Sequence, residues 1–370
     1  MLLIILGAII LIVAAIGIIF IKTSPQFGGE HTEERKARYS AVSNYRDGKF
    51  YNLRETKMEM GFLKFMSVLG DYIAGVPHSA PKVKLPAVPL DSLAVIANQP
   101  QTKITWLGHS AFVMEIGSKN VLIDPMLGDV PSPHPMLGKA RFSALPIQAK
   151  ELASIDFVLI SHDHYDHLDY ESIIELKERV GKFYVPMGVG AHLVAWGVEA
   201  TKITELAWWD EVTHDGITLV LTPARHFSGR GLTDRFSTLW GSWVIKSNDL
   251  NIYFSGDSGY DSHFKEIGSK YGPFDFAMME CGQYDERWDE IHMFPEETAQ
   301  AAQDLQAKTF MPIHWGSFVL ALHSWTDPIE RVTQKASELG IDIATPQIGE
   351  PVIINQHYPD SDWWKTYRAD

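Results

Sequence analysis

Six residues, His162-Asp163-His164-Tyr165-Asp166-His167, decide how this sequence is read. They follow the apolar run Ile155–Ile160 directly and precede residues 171–179, whose pattern predicts a helix. Burying so many imidazoles and carboxylates without partners would be costly, so this is not an ordinary core segment. A solvated loop is the bland alternative, but three later apolar runs end in the same way. Ile217–Leu221 leads into His226, Ile252–Phe254 into Asp257, and Phe310–Ile313 into His314. In layered sheets such strand ends meet along one edge, where active sites form. His162, His164, His167, His226 and His314 with Asp166 and Asp257 are too many ligands for one tetrahedral ion. They suit two ions about 3.5–4 Å apart that share a carboxylate.

Outward from this motif, the pattern is one of short strands separated by turns and helices. Strands are expected at Ile104–Trp106, Ala111–Glu115, Val121–Ile123, Phe183–Val185, Ser242–Ile245, Phe276–Met279 and Thr309–Ile313 in addition to the runs above. Helices are expected near 171–179, 296–307 and 328–339. Strands alternating with helices predict a layered α/β fold rather than an all-β sandwich.

Composition narrows the function. The chain has 370 residues, with 32 Lys+Arg against 46 Asp+Glu for a net charge of −14, a poor match to a nucleic-acid partner. Fifteen histidines stand beside a single cysteine, Cys281, which excludes a disulfide framework and leaves nitrogen and carboxylate donors for any metal.

Residues Met1–Ile21 contain no charged side chain. At about 1.5 Å per residue the run spans roughly 30 Å, enough to cross a bilayer. It is too long for a secretory leader, has no preceding Lys or Arg, and lacks an A-x-A site, so an uncleaved single-pass anchor is expected. Lys22, Arg35, Lys36 and Arg38 all follow it, which puts the globular part on the cytoplasmic side. Residues 23–50 are polar and read as a tether. From Met58, Phe62, Phe65, Met66, Leu69, Tyr72 and Ile73 recur at helical spacing; packing on the domain is the expectation, contact with the membrane the alternative. Pro77, Pro81, Pro86, Pro89 and Pro100 mark an extended arm. The chain thus divides into an anchor (1–22), a tether, amphipathic helix and Pro-rich arm (23–100), a catalytic domain (101–357) and a C-terminal tail (358–370).

The His-x-His-x-Asp-His motif with its later Gly-Asp and His strand ends resembles the metallo-β-lactamase superfamily. Thr105–Ser110, Glu205-Leu206 with Trp208-Trp209, Leu239–Trp243, Gly272–Asp275 and Ile313–Gly316 further resemble N-acylphosphatidylethanolamine-hydrolysing phospholipase D and its bacterial relatives, from about residue 100 to 355. The resemblance implies an αββα sandwich and two zinc ions. His162, His164 and His226 would hold one, Asp166, His167 and His314 the other, and Asp257 would bridge them. It places Tyr165 and His292, the latter ahead of Pro295-Glu296-Glu297, at the substrate, with Asp257 and His292 in catalytic roles. The implied reaction releases phosphatidic acid and an N-acylethanolamine from a membrane phospholipid. A lactone or ester hydrolase, or a non-catalytic membrane-tethered metal-binding protein, would use the same ligand set, and a homodimer is left open. A di-iron redox branch typically carries a Glu where His164 stands. His109 reads as a hydrogen-bonded structural histidine. His192, His214, His263, His323 and His357 read as surface or ordinary structural residues, Trp208 and Trp209 as packing, and Arg225 as a salt-bridge partner.

Overall fold

The computed structural model describes residues 1–57, 61–91, 101–247 and 250–368. Met58 and Pro100, used above, lie outside them. Two seven-stranded sheets face each other. One runs β16-β3-β4-β5-β6-β7-β8, where β3 is Lys103–Gly108, β4 Ala111–Ile116, β5 Lys119–Ile123, β6 Ile155–Leu159, β7 Val180–Pro186, β8 Ile203–Leu206 and β16 Pro351–Ile353. The other runs β15-β14-β13-β12-β11-β10-β9, with β9 Glu211–His214, β10 Ile217–Thr222, β11 Ser242–Ser247, β12 Leu250–Phe254, β13 Phe276–Glu280, β14 Thr309–Ile313 and β15 Asp342–Ile343. A separate two-stranded ribbon pairs β1 (Tyr45–Arg46) with β2 (Lys49–Phe50).

Both faces of the first sheet are covered, so buried apolar residues lie on both sides of its central strands. Phe112, Met114, Val121, Ile123, Phe157 and Leu159 enter the core between the sheets. Their strand neighbours Val113, Leu122 and Val158 instead meet Ile173, Leu176, Val189 and Leu193 from outer helices. Those helices are α4 (Tyr170–Leu176) and α5 (Val189–Ala195), while α6 (His263–Tyr271), α7 (Pro295–Asp304) and α8 (Asp327–Leu339) accompany the second sheet. The result is the expected αββα sandwich. Asp169 starts α4 by accepting the Ser172 N–H at 3.0 Å, so the chain turns from the metal motif into a helix within two residues.

Three expectations about the flanks change. The polar stretch 23–50, read as a tether, is docked on the domain. Tyr39 and Phe50 are buried, Arg35 and Arg38 both pair with Glu205 at 2.9 Å, and the Pro25 and Gln26 carbonyls accept from Trp196 Nε1 and Arg230 Nε, each at 2.7 Å. Gly28 and Gly29 are needed here, since a Cβ on Gly28 would lie 2.0 Å from His192 Nδ1. Polarity marked this segment as exposed; it is instead held by buried partners that supply its hydrogen bonds. The C-terminal residues read as a tail also pack inward, with Trp363 and Trp364 buried against Trp315.

The third correction concerns α3 (Phe62–Ala74), which follows α1 (Leu2–Thr23) and the short α2 (Glu33–Tyr39). It was expected to pack its apolar face on the domain, yet none of its residues is buried. Over Ile5–Thr23, helix α1 is long and apolar enough to cross a membrane, and none of its described residues is buried.

Candidate metal centre

The sandwich brings the predicted ligands together at one edge, just beyond the ends of β6, β10, β12 and β14. His162, His164, His226 and Asp257 form one nest. His162 Nε2 and His226 Nε2 lie 2.9 and 3.2 Å from His164 Nδ1, and each is 3.8 Å from Asp257 Oδ2. The second nest combines Asp166, His167 and His314 with His109. His167 Nε2 and His314 Nδ1 each lie 3.2 Å from Asp257 Oδ1. The two oxygens of Asp257 therefore face different nests. A carboxylate so placed can reach both nests at once.

The residues fit metal ions on chemical grounds. His167 Nε2 and Asp257 Oδ1 are buried without a hydrogen bond, despite their 3.2 Å approach, because neither is aligned on the other. Such orphaned atoms are costly unless a cation satisfies them. Burial holds His162, His226 and His314 well below the ordinary imidazole range and also lowers His164, so their rings are neutral donors. Burial alone would raise Asp166 and Asp257, but the surrounding imidazoles outweigh it and hold both well below the carboxylate range. His167 differs. Burial disfavours its charge, yet Asp257, Asp166 and the hydrogen bond to Asp124 keep it well above the ordinary value.

Outer partners orient these rings. Asp124 accepts from His167 Nδ1 at 2.7 Å and from the Ser161 backbone N–H at 2.7 Å, and Ser161 Oγ lies 2.9 Å from His162 Nδ1. The Ile291 carbonyl accepts from His226 Nδ1 at 2.9 Å, which leaves Nε2 free to face the nest. His109 Nε2 is 2.8 Å from Asp166 Oδ2.

His292 stands beside this centre, its ring 5.0 Å from that of His226 and 5.4 Å from that of His314. Its Nδ1 bonds Glu280 Oε1 at 2.7 Å. Burial pushes the Glu280 carboxyl up to about 8, while Glu280 outweighs burial at His292 and raises it. A cleft of about 290 Å³ opens over His164, Asp166, Asp257, His292 and His314, with Phe227, Trp288 and Leu320 among its lining residues.

Residues 119–315 match the Beta-lactamase superfamily domain. The chain belongs to the metallo-β-lactamase superfamily of metal-dependent hydrolases. Within that superfamily it is 38% identical over 328 residues to an uncharacterized protein of Mycobacterium tuberculosis, covering 87% of both chains. It is 34% identical over 227 residues to N-acyl-phosphatidylethanolamine-hydrolyzing phospholipase D 1 of Caenorhabditis elegans, spanning 58% of this chain and 64% of that one. A metallo hydrolase from the archaeon Ignicoccus hospitalis shares the fold, with a TM-score of 0.54 at 23% identity over 70% of this chain and 100% of that one.

Not every expected site residue reaches the superfamily's metal cleft. Tyr165 does not line it. Its hydroxyl donates to the Arg230 carbonyl at 2.6 Å, and its ring lies 4.1 Å from the Arg230 guanidinium carbon. The chain turns at 164–167, where the His167 and Leu168 N–H groups both donate to the His164 carbonyl, and Asp163 and Tyr165 leave the side on which His162, His164, Asp166 and His167 converge. Asp163 accepts the Gly229 N–H at 2.8 Å and the Thr238 hydroxyl at 2.9 Å, and thereby braces the motif from behind. Arg225 pairs with Glu290 at 2.9 Å, and Trp208 is buried with its Nε1 on the Trp240 carbonyl, as packing and salt-bridge readings expect. His192 and His263 are buried structural residues rather than surface ones.

Sequence reasoning missed Asp124 and Glu280. Both immediately follow or end an apolar strand, β5 and β13, which is the signal that identified Asp257. His109 was correctly read as hydrogen-bonded, but its partner is a proposed ligand, so it belongs to the centre's support.

Proposed function

We propose that this protein is a membrane-anchored dinuclear zinc hydrolase that cleaves the phosphodiester of a membrane phospholipid. The favoured substrate is N-acylphosphatidylethanolamine, with phosphatidic acid and an N-acylethanolamine as products. The observation that carries the dinuclear reading is Asp257, whose Oδ1 lies 3.2 Å from His167 and His314 while Oδ2 lies 3.8 Å from His162 and His226. Its all-nitrogen and carboxylate surroundings suit zinc. The phosphodiester reading is supported by the named C. elegans relative, and the lipid reading also by α1, an apolar helix long enough to hold the protein at a bilayer.

His162, His164, His226 and Asp257 would hold one ion, and Asp166, His167, His314 and Asp257 the other. When bound, such ions acidify water toward neutrality and offset the charge of a phosphate. The protein's own groups do the rest. Asp124, Ser161 and the Ile291 carbonyl fix the ring orientations, so little reorganisation is required when the phosphate enters. Glu280 holds Nδ1 of His292 and thereby directs Nε2 away from itself. From that position His292 can hydrogen-bond a phosphate oxygen or hand a proton to the departing alcohol. Water supplies the oxygen of the new P–O bond, the bond to the head-group alcohol breaks, and that alcohol leaves protonated.

The test is product analysis by mass spectrometry with zinc-loaded protein and three substrates: N-acylphosphatidylethanolamine, a soluble phosphodiester and a lactone. Phosphatidic acid with N-acylethanolamine supports the proposal. Lactone opening with no phosphodiester turnover replaces it.

A further inference from the structure

We propose that α3 is an interfacial helix whose apolar face lies on the same bilayer that α1 enters, next to the mouth of the metal cleft. The inference rests on the membrane reading of α1 and adds a second, separate contact. It begins from an inversion. An amphipathic helix of a globular domain turns its apolar stripe to the core and its polar stripe to water. Helix α3 does the opposite. At 100° per residue, Lys64, Ser67 and Asp71 share one face, and Phe62, Met66, Leu69 and Ile73 share the other. The polar face meets the protein: Arg287 Nη1 lies 2.7 Å from Asp71 and 3.3 Å from Ser67, and Lys64 is close enough to help lower Asp285. The apolar face points outward, with Phe62 and Ile73 each 76% exposed and the flanking Leu63 84% exposed. An exposed patch of this kind marks an interaction surface.

Its neighbours indicate the partner. Lys139 Nζ sits 4.9 Å from the Tyr72 ring centre of α3, and the loop leading to Lys139 exposes Met136 at 86% and Leu137 at 65%. The same loop touches the end of α1, where Phe20 and His134 rings are 5.9 Å apart. A continuous path therefore runs from the end of α1, across Met136 and Leu137, to the apolar face of α3. The membrane in which α1 is embedded is the one partner that touches all three. On the opposite side, Arg287 also binds Asp285 at 2.7 Å and neighbours Trp288, which lines the cleft. Helix α3 thus forms a wall with lipid on one side and the segment bordering the metal cleft on the other. A lipid leaving the bilayer has an apolar path beside it.

Single nitroxide labels on the full-length chain in phospholipid nanodiscs test this. With buried Cys281 replaced by Ser, labels are placed through Leu63→Cys or Ile73→Cys on α3, Ile9→Cys on α1, and Glu338→Cys on α8 as a water-facing reference. The expected result is loss of broadening by aqueous chromium oxalate at Leu63 and Ile73, matching Ile9, with full broadening at Glu338. Lipid exposure at Ile9 combined with full broadening at Leu63 and Ile73 overturns the proposal and leaves the anchor intact. Full broadening at Ile9 overturns the anchor and the proposal together. Protection at α3 that disappears when each nanodisc holds one chain assigns the face to a second copy, and also overturns it.

Discussion

The two nests of the metal centre share Asp257 but are built differently. The nest of His162, His164 and His226 consists of rings that burial keeps neutral, each ready to donate a lone pair. The nest of Asp166, His167 and His314 adds a second carboxylate; burial lowers His314 as well, but the anionic surroundings of His167 raise that ring. One nest disfavours a proton on each of its rings; the other favours a proton on His167. The difference implies that ions compete with a proton at one nest and not at the other.

Removing the shared element should have the largest effect. Asp257→Asn is expected to bind at most one equivalent of zinc tightly and to lose roughly 10³-fold or more in turnover, because both nests lose a charged ligand. Metal analysis after gel filtration and an activity assay check it; two tightly held ions in the variant would break the account. Asp124→Asn touches the comparison unevenly. Asp124 bonds His167 directly but reaches His162 only through Ser161. The second equivalent should weaken about 10–100-fold and the first by less, measured by chelator competition.

Acidity should separate the nests without mutation. A metal at the second nest must displace the His167 proton, so below the raised value of that ring its affinity should fall about tenfold per pH unit. His162, His164 and His226 are already neutral above their lowered values and release no proton. From pH 8 to 6 the first equivalent should therefore hold steady while the second weakens; parallel weakening would show that His167 is not the distinguishing group. The smallest change is expected for His109→Gln, which removes the imidazole 2.8 Å from Asp166 but no proposed ligand. Loss of about tenfold in the second equivalent, at the lower end of outer-partner effects, is the expected outcome of the same competition assay.

How legible these features were depended on how local their physics is. Strand ends carrying His or Asp are written in consecutive residues, so the sandwich and the gathering of these side chains at one edge could be read or inferred by resemblance. Short β8 and β9, with half-polar patterns such as Ile203–Leu206, left no comparable trace. Asp124 and Glu280 were missed because one carboxylate after an apolar strand carries little meaning until its imidazole partner is located in space. Tyr165 was drawn to the substrate by its place in the motif, whereas the turn closed on the His164 carbonyl carries it to Arg230. The docked segment 23–50 shows the same limit. Its polar groups are satisfied by Glu205, Trp196 and Arg230, residues more than a hundred positions away. Helix α3 was correctly placed from its periodicity, but the pattern could not show which face the domain receives.

The central claim is that the centre directs water to phosphorus on the head-group side of a phospholipid. Turnover of N-acylphosphatidylethanolamine in ¹⁸O-labelled water, followed by mass spectrometry of both products, tests it most directly. The account predicts phosphatidic acid carrying one ¹⁸O and an N-acylethanolamine carrying none. Labelled fatty acid, or diacylglycerol with a labelled phosphate head group, would place the attack at a different bond and contradict it.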